Sequence, residues 1–299
     1  MKHLTRLASF GIVILAFALA LPVFAQDDVQ ANKLLVTNYL DCVYGHMDAE
    51  SACAFVADNV VFHDPLTDSR DTSGFMANYR QFFDRVTNLK ISPYAVIGEG
   101  NFVAVPYLWQ GTKPATEPRA ADEPLSGNAV EFFRIADGKI VEIWRQYEQH
   151  DFSILGTAED YRGMGSMMMT DTTAKDMPQF STETANANRR VVLGWIDSYN
   201  NGKLDTSLMA SSFLYHTCPC SDVGTINLQT FAQNFREMKE NGTLKTITPI
   251  SHNLGLLMVS EGDLTAMLYD THETAMSSHA DRAAIFRFED GKIAEEWQF

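Results

Sequence analysis

The chain has 299 residues, 45% of them hydrophobic and 20% charged, the balance of a folded protein rather than a disordered or collagen-like one. Asp and Glu number 38 against 23 Lys and Arg, a formal charge of -15. Such a charge repels phosphate backbones and acidic lipid surfaces, which excludes nucleic acid as an expected partner.

Lys2 and Arg6 precede an apolar run from Phe10 to Leu21, and Pro22 then leads to Val23-Phe24-Ala25. This is the pattern of an export signal over residues 1–25, cut after Ala25. A retained anchor is the alternative, but the stretch from Leu7 to Ala25 contains Ser9 and falls short of the ~20 strongly apolar residues a spanning helix needs. Cleavage removes two positive charges and leaves an acidic mature protein, expected in the periplasm or outside the cell and free of the membrane. Export would carry four cysteines into an oxidising compartment. Cys42 and Cys53 flank the junction of two predicted helices, where they either form a bridge or remain two free thiols. Cys218-Pro219-Cys220 is too close for an unstrained bridge. Neither group has the companion ligands of a zinc site, so no metal is expected.

Beyond the signal, Leu35, Val36, Tyr39, Leu40, Val43 and Tyr44 form a helical stripe, and Ala52, Phe55 and Val56 a shorter one. A strand follows from Val60 to His63. Thr72 or Ser73 caps a third helix, whose face is Phe75, Met76, Tyr79, Phe82, Phe83 and Val86. Strands are expected from Ile91 to Gly98, Phe102 to Gln110, Ala129 to Ile135 and Ile140 to Gln149. Asp137-Gly138 between the last two is a tight-hairpin signal, since both residue types tolerate positive φ. Gly163 to Ala187 is rich in Met, Thr, Ser and Asp with little periodicity and reads as linker. The second half repeats the order: a helix from Asn188 to Asn200, a strand to Tyr215, a helix from Leu228 to Asn241, then four strands to Phe299.

The likeness of the halves extends to the letters. The segment from Phe133 to Trp144, with its Phe-Arg, Asp-Gly-Lys-Ile and Trp, returns 153 residues later from Phe286 to Trp297. Phe62-His63 returns as Tyr215-His216 at the same shift, and Glu99-Gly100-Asn101 as Glu261-Gly262-Asp263. Ordered landmarks at near-constant spacing predict a duplicated domain. The expected division is residues 1–25 signal, 26–155 first domain, 156–187 linker and 188–299 second domain. The expected fold class is α+β: two tandem cone-shaped α+β barrels, each a curved antiparallel sheet wrapped around three helices, with an open mouth as a small-ligand site.

The closing hairpin from Arg134 to Trp144, with Phe62-His63-Asp64-Pro65 before it, resembles the SnoaL-like branch of the nuclear transport factor 2 fold, in both halves. The resemblance implies a family of polyketide cyclases, isomerases, dehydratases and non-catalytic members. It also implies a carboxylate a few residues beyond the closing Trp, acting as acid and base in an intramolecular aldol reaction. Glu148 stands four residues beyond Trp144, where the cyclases carry Asp.

Strand alternation puts Ile140, Glu142, Trp144, Gln146 and Glu148 on one face, so Glu148 lines the cone if Trp144 does. A carboxylate in an apolar pocket has its pKa raised toward neutrality and can take a proton α to a carbonyl. His63 is the expected donor to the enolate, and Tyr79 and Tyr107 are reserves. Trp144, Tyr79, Phe83, Tyr107 and Trp109 are the expected ligand contacts of the first cone, and His216 and His272 those of the second. Glu142, Glu295, Arg134 and Arg287 recur in both halves and are read as architecture, with the arginines pairing the carboxylates.

Two functions are carried forward. One is an exported protein binding a small, mainly apolar carbonyl compound and catalysing cofactor-free aldol-type cyclisation, isomerisation or proton transfer. The other is a non-catalytic binding or assembly module, in which the two domains pair sheet to sheet as an internal pseudo-dimer or the chain forms a homodimer.

Overall fold

The computed structural model describes residues 23–64, 68–115, 121–147, 182–216, 224–249, 251–252, 255–272 and 281–299. The expected export signal up to residue 22, Glu148, most of the expected linker, and Cys218 and Cys220 lie outside the described residues. No described helix is long and apolar enough to cross a membrane.

The first domain runs α1 (Val23–Leu40), a π-helical turn (Asp41–Gly45), α2 (Ala49–Ala52), β1 (Val56–His63), β2 (Asp68–Ser69) and α3 (Thr72–Phe83). Then come β3 (Thr87–Pro93), β4 (Ile97–Glu99), β5 (Phe102–Lys113), β6 (Glu123–Ala136) and β7 (Lys139–Tyr147). The cap of α3 is Asp71, not Thr72 or Ser73: its carboxylate accepts the N–H of Gly74 at 2.7 Å, satisfying one of the orphan donors of the first turn.

The strands form one sheet in the order β2-β1-β7-β6-β5-β3, with β4 also on β5. Its meander is antiparallel, but β1 lies parallel to β7, so the sheet is mixed rather than antiparallel. It is open rather than a closed barrel, since the outer strands β2 and β3 do not pair with each other. Val36, Tyr39, Leu40, Phe75 and Tyr79 of α1 and α3 pack on Phe62, Val105, Tyr107, Phe133 and Ile143 of the sheet. These residues define its inner face.

The second domain comprises α4 (Glu183–Asn200), a 3-10 turn (Thr206–Leu208), β8 (Met209–His216), β9 (Thr225–Asn227) and α5 (Leu228–Glu240). It continues with β10 (Thr246–Pro249), β11 (Ser251–His252), β12 (Gly255–Leu256), β13 (Met258–Glu261), β14 (Leu264–His272), β15 (Asp281–Glu289) and β16 (Lys292–Gln298). Among the described residues two α-helices serve it rather than three. Thr182 caps α4, accepting the N–H of Ala185 at 3.1 Å, so that helix starts five residues before Asn188. The main sheet is β9-β8-β16-β15-β14-β10 with β13 on β14, the same path as in the first domain.

The duplication is visible rung by rung. His63 sits opposite Trp144 in the parallel pair of one sheet and His216 opposite Trp297 in the other. Arg134 faces Glu142, and Arg287 faces Glu295. Both closing hairpins turn on Asp-Gly with positive φ, 51° and 70° at Asp137 and Gly138 and 51° and 73° at Asp290 and Gly291, the signature of a type I′ turn matched to strand twist. A bulge follows Arg134 in one hairpin and Arg287 in the other.

The outer faces of the two sheets meet. Ile97, Phe102, Ala104, Val130, Phe132 and Trp144 of the first domain share one buried cluster with Leu257, Val259, Ala266, Leu268, Ala283, Ile285 and Phe299 of the second. Charged groups close its edge reciprocally. Lys33 pairs with Glu261 at 2.7 Å, and Arg189 pairs with Glu99. Glu261 also accepts the N–H of Gly98 at 2.8 Å, and Glu99 that of Ser260 at 2.9 Å. Cys42 and Cys53 are free thiols, donating to the carbonyls of Asp48 at 3.7 Å and Ala49 at 3.4 Å.

Candidate functional site

The inner face of the first sheet carries charge where an apolar core is expected. Arg145 on β7 and Glu131 on β6 are opposite one another in register and buried, at 4% and 0% exposure. Arg145 Nε donates to Glu131 Oε1 at 2.8 Å. Its Nη1 donates to the Tyr147 hydroxyl at 2.8 Å and reaches Asp64 Oδ2 at 3.4 Å, while Nη2 donates to Tyr79. The guanidinium lies over the Phe62 and Tyr79 rings, each 4.6 Å from their centroids, where the ring quadrupoles favour a cation. Burial works against its charge, but Glu131 and the tyrosine oxygens outweigh it and hold its pKa well above the ordinary value.

Hydroxyls complete the cluster. Tyr107 donates to Glu131 Oε1 at 2.7 Å, and Tyr44 donates to the same oxygen. Tyr39 and Tyr79 share a hydrogen bond at 2.8 Å. Burial first, and then the neighbouring Glu131 charge, keep Tyr44 and Tyr107 protonated far above their ordinary pKa, with Arg145 pulling the other way. Glu131 Oε1 is thus saturated, whereas Oε2 is buried with no hydrogen-bond partner. A bare carboxylate oxygen beside a cation and several O–H donors, walled by aromatic rings, is equipped to take a proton and to hold the oxyanion formed.

Of the expected contacts, Tyr79, Tyr107 and Trp109 are buried on this inner face, and Phe83 packs half-buried against Tyr79 with ring centroids 5.7 Å apart. Trp144 is elsewhere: it belongs to the outer-face cluster against the second domain. Because side chains alternate along a strand, Trp144 and Arg145 point to opposite faces, and the premise that Trp144 lines the cone is corrected. Glu148, whose placement was argued from that premise, lies outside the described residues.

His63 is also turned from Arg145. Its ring stacks on Trp144 at 5.4 Å and 13°, and its Nε2 lies 3.0 Å from Glu142 Oε1. Glu142 in turn accepts from Arg134 Nε at 3.0 Å. The second domain repeats this unit, with His216 stacked on Trp297 at 5.1 Å and 3.3 Å from Glu295, which pairs with Arg287. The His-Glu-Arg-Trp unit is therefore common to both domains, and it holds His63 on the face of Trp144, away from Arg145. The side chain of His272 lies outside the described residues. Among the described residues no cluster of His, Cys, Asp and Glu has the arrangement of a metal site.

Arg145, Glu131, Tyr44 and Tyr147 were not singled out from the sequence as functional. The available signal was Glu131 itself, a carboxylate inside the apolar run Ala129-Val130-Glu131-Phe132-Phe133. A charge in such a strand needs a partner on the facing strand.

Residues 36–143 match the family model of the SnoaL-like domain. No curated protein matches the chain. Among solved structures, a protein assigned as a polyketide cyclase from Xanthomonas campestris pv. campestris is 18% identical, with 43% of this chain and 99% of that one covered and a TM-score of 0.37. A protein assigned as a SnoaL-like polyketide cyclase from Jannaschia sp. CCS1 is 18% identical, with 44% and 94% covered and a TM-score of 0.38. A protein of ketosteroid isomerase-like fold from Catenulispora acidiphila DSM 44928, in complex with trimethylamine, is 12% identical, with 38% and 85% covered and a TM-score of 0.34.

Proposed function

We propose that the first domain, whose residues 36–143 match the SnoaL-like domain model, binds a small, mainly apolar carbonyl compound and catalyses cofactor-free proton transfer on it, of the kind used in isomerisation and aldol-type cyclisation. The observation that carries the reading is the Glu131–Arg145 pair, buried in an aromatic interior with Glu131 Oε2 unpartnered. Glu131 takes the proton α to the carbonyl. Arg145 and the hydroxyl of Tyr79 hold the enolate oxygen, and the proton returns from the protonated Glu131 to the new position. An export signal over residues 1–25, as the sequence pattern leads one to expect, would fit a substrate met in the periplasm or outside the cell.

The test is hydrogen–deuterium exchange at the α-carbon of a panel of cyclic ketones and β-diketones, followed by NMR, with thermal shift as the binding readout. The wild-type chain should accelerate exchange for compounds that raise its melting temperature. Glu131→Gln should lower that rate by 100-fold or more while the thermal shift persists, as expected when an acid–base group is removed. Panel compounds that neither bind nor exchange, or exchange unchanged in Glu131→Gln, would overturn the reading.

One observation favours the second reading, of an assembly module. The outer faces of the two sheets bury one another with reciprocal ion pairs, so the chain supplies its own partner as a pseudo-dimer. Ligand binding without any exchange would favour it.

A further inference from the structure

The dipeptide Asn-Gly occurs twice in the chain, at Asn201-Gly202 and at Asn241-Gly242. Both steps belong to the second domain, and each closes a helix. Asn201 follows α4 with φ −79° and ψ 1°, and Asn241 follows α5 with φ −82° and ψ −4°. The glycine after each takes positive φ, 63° and 69°, the left-handed conformation that ends helices. The two backbones are therefore alike. So is their intrinsic chemistry: a glycine has no side chain to shield its nitrogen, which can attack the carboxamide carbon of the asparagine before it.

Their surroundings differ. Asn201 Nδ2 donates to Asp197 Oδ1 at 3.1 Å, which holds the carboxamide back along α4. The Gly202 N–H donates to the Tyr199 carbonyl at 2.9 Å, and the Gly202 carbonyl accepts from Lys239 Nζ at 2.8 Å. The lysine stem lies across the glycine, so that a Cβ added there would meet Lys239 Cε at 3.1 Å. Attacking nitrogen and attacked carboxamide are both tied. At the second step Asn241, Gly242 and Thr243 are all exposed. The Gly242 N–H makes a longer bond to the Lys239 carbonyl, 3.2 Å, and a Cβ added at Gly242 would meet nothing within 4 Å. Among the described residues no hydrogen bond holds the Asn241 carboxamide.

We propose that Asn241 is a site of spontaneous deamidation, and that Asp197 and Lys239 protect Asn201 from the same reaction. The Gly242 nitrogen loses its proton to solvent and forms a C–N bond to Asn241 Cγ, and ammonia leaves, giving a succinimide. Water then adds to one of the two ring carbonyls and breaks its C–N bond, which yields aspartate or isoaspartate. One carboxamide and one water thus become one carboxylate and one ammonium ion, with nothing oxidised or reduced. The new charge stands at the C-terminal end of α5, where the helix dipole is already negative. Isoaspartate also adds a methylene to the backbone at that cap.

The proposal is independent of the proton-transfer reading for the first domain. The full chain is incubated at pH 7 and at pH 9, native and in urea, and both Asn-Gly peptides are quantified by mass spectrometry after digestion, with isoaspartate and aspartate separated by chromatography. In the native chain Asn241 should convert at least about tenfold faster than Asn201, whose hydrogen bonds must open before attack. Conversion should be faster at pH 9, where more of the nitrogen is ionised. In urea the two rates should converge, because the contacts that separate them are gone. The double variant Asp197→Ala with Lys239→Met should bring Asn201 toward its rate in urea. Equal native rates, faster conversion of Asn201, or a difference between the steps that persists in urea would overturn the proposal. So would an Asn241 that stays intact in the native chain while it converts in urea, a comparison that needs no variant to fold.

Discussion

Glu99 and Glu261 are counterparts across the junction of the two domains, each accepting a backbone N–H and a cationic side chain from the domain it does not belong to. The arrangement follows from the helices. Asn32 and Asn188 tie α1 and α4 to the carbonyls of Gly100 and Gly262 of their own domains, and the next residue of each helix, Lys33 or Arg189, is thereby brought to the other domain. A single chain thus makes the self-complementary contact that two copies make in a symmetric dimer.

The two carboxylates differ in burial, with Glu99 side-chain exposure at 4% and Glu261 at 34%. Glu99→Gln should therefore destabilise the chain by about 3 kcal/mol, as expected when one partner of a buried pair is removed. Glu261→Gln should cost less than about 1 kcal/mol, the worth of a part-exposed pair. Urea unfolding of the two variants checks the order, and equal losses would contradict it.

Among the described residues the Arg145–Glu131 pair is the most buried ion pair of the first domain, at 3% and 0% side-chain exposure. Arg145→Met leaves the Glu131 carboxylate buried without its cation and should cost about 3–5 kcal/mol. The double variant Arg145→Met with Glu131→Gln removes both charges and should be more stable than the single Arg145 variant. A thermal-unfolding cycle measures that coupling.

Glu296 makes stability depend on pH with a definite sign. Its folded pKa is about 8, above the 4.3 of an unperturbed glutamate, so the native state binds its proton more tightly than the unfolded chain does. The favourable contribution is complete below about pH 4 and is lost as pH rises through 8, at a slope of up to about 1.4 kcal/mol per unit. Glu296→Gln should flatten the denaturation free energy across pH 5 to 8 relative to wild type.

Both Asp-Gly hairpins should respond alike to one change. Gly138 and Gly291 have φ of 70° and 73°, and a Cβ added at either would meet nothing within 4 Å. The cost of Gly138→Ala or Gly291→Ala is therefore conformational alone, about 1–2 kcal/mol for an L-residue held at positive φ. Differential scanning calorimetry should give the two variants equal losses.

The duplication was legible because a type I′ turn demands Asp-Gly and the flanking strands demand their neighbours, so local chemistry wrote the same letters twice. The α+β order was legible for the same reason. The parallel pairing of β1 with β7 was not, since two strands about eighty residues apart leave no mark on either. The face of Trp144 was illegible for a different reason. From Glu142 to Tyr147 every residue of β7 is buried, because helices cover one side of the sheet and the second domain covers the other. The alternation of apolar and polar residues that would separate the faces is thereby erased. Glu295 and Glu296 posed the same problem, as adjacent acids with one on each face.

The parallel pairing of β1 with β7 also constrains the order in which the protein can be made. A ribosome delivers β1 long before the strand that must flank it, so the first sheet cannot close until residue 147 has emerged. Long-range pairing of this kind folds slowly, because chain entropy is spent before the contacts that repay it exist. Even then Ile97, Phe102, Phe132 and Trp144 wait uncovered for the partner still being synthesised, an apolar surface of the kind that makes a nascent chain prone to aggregation.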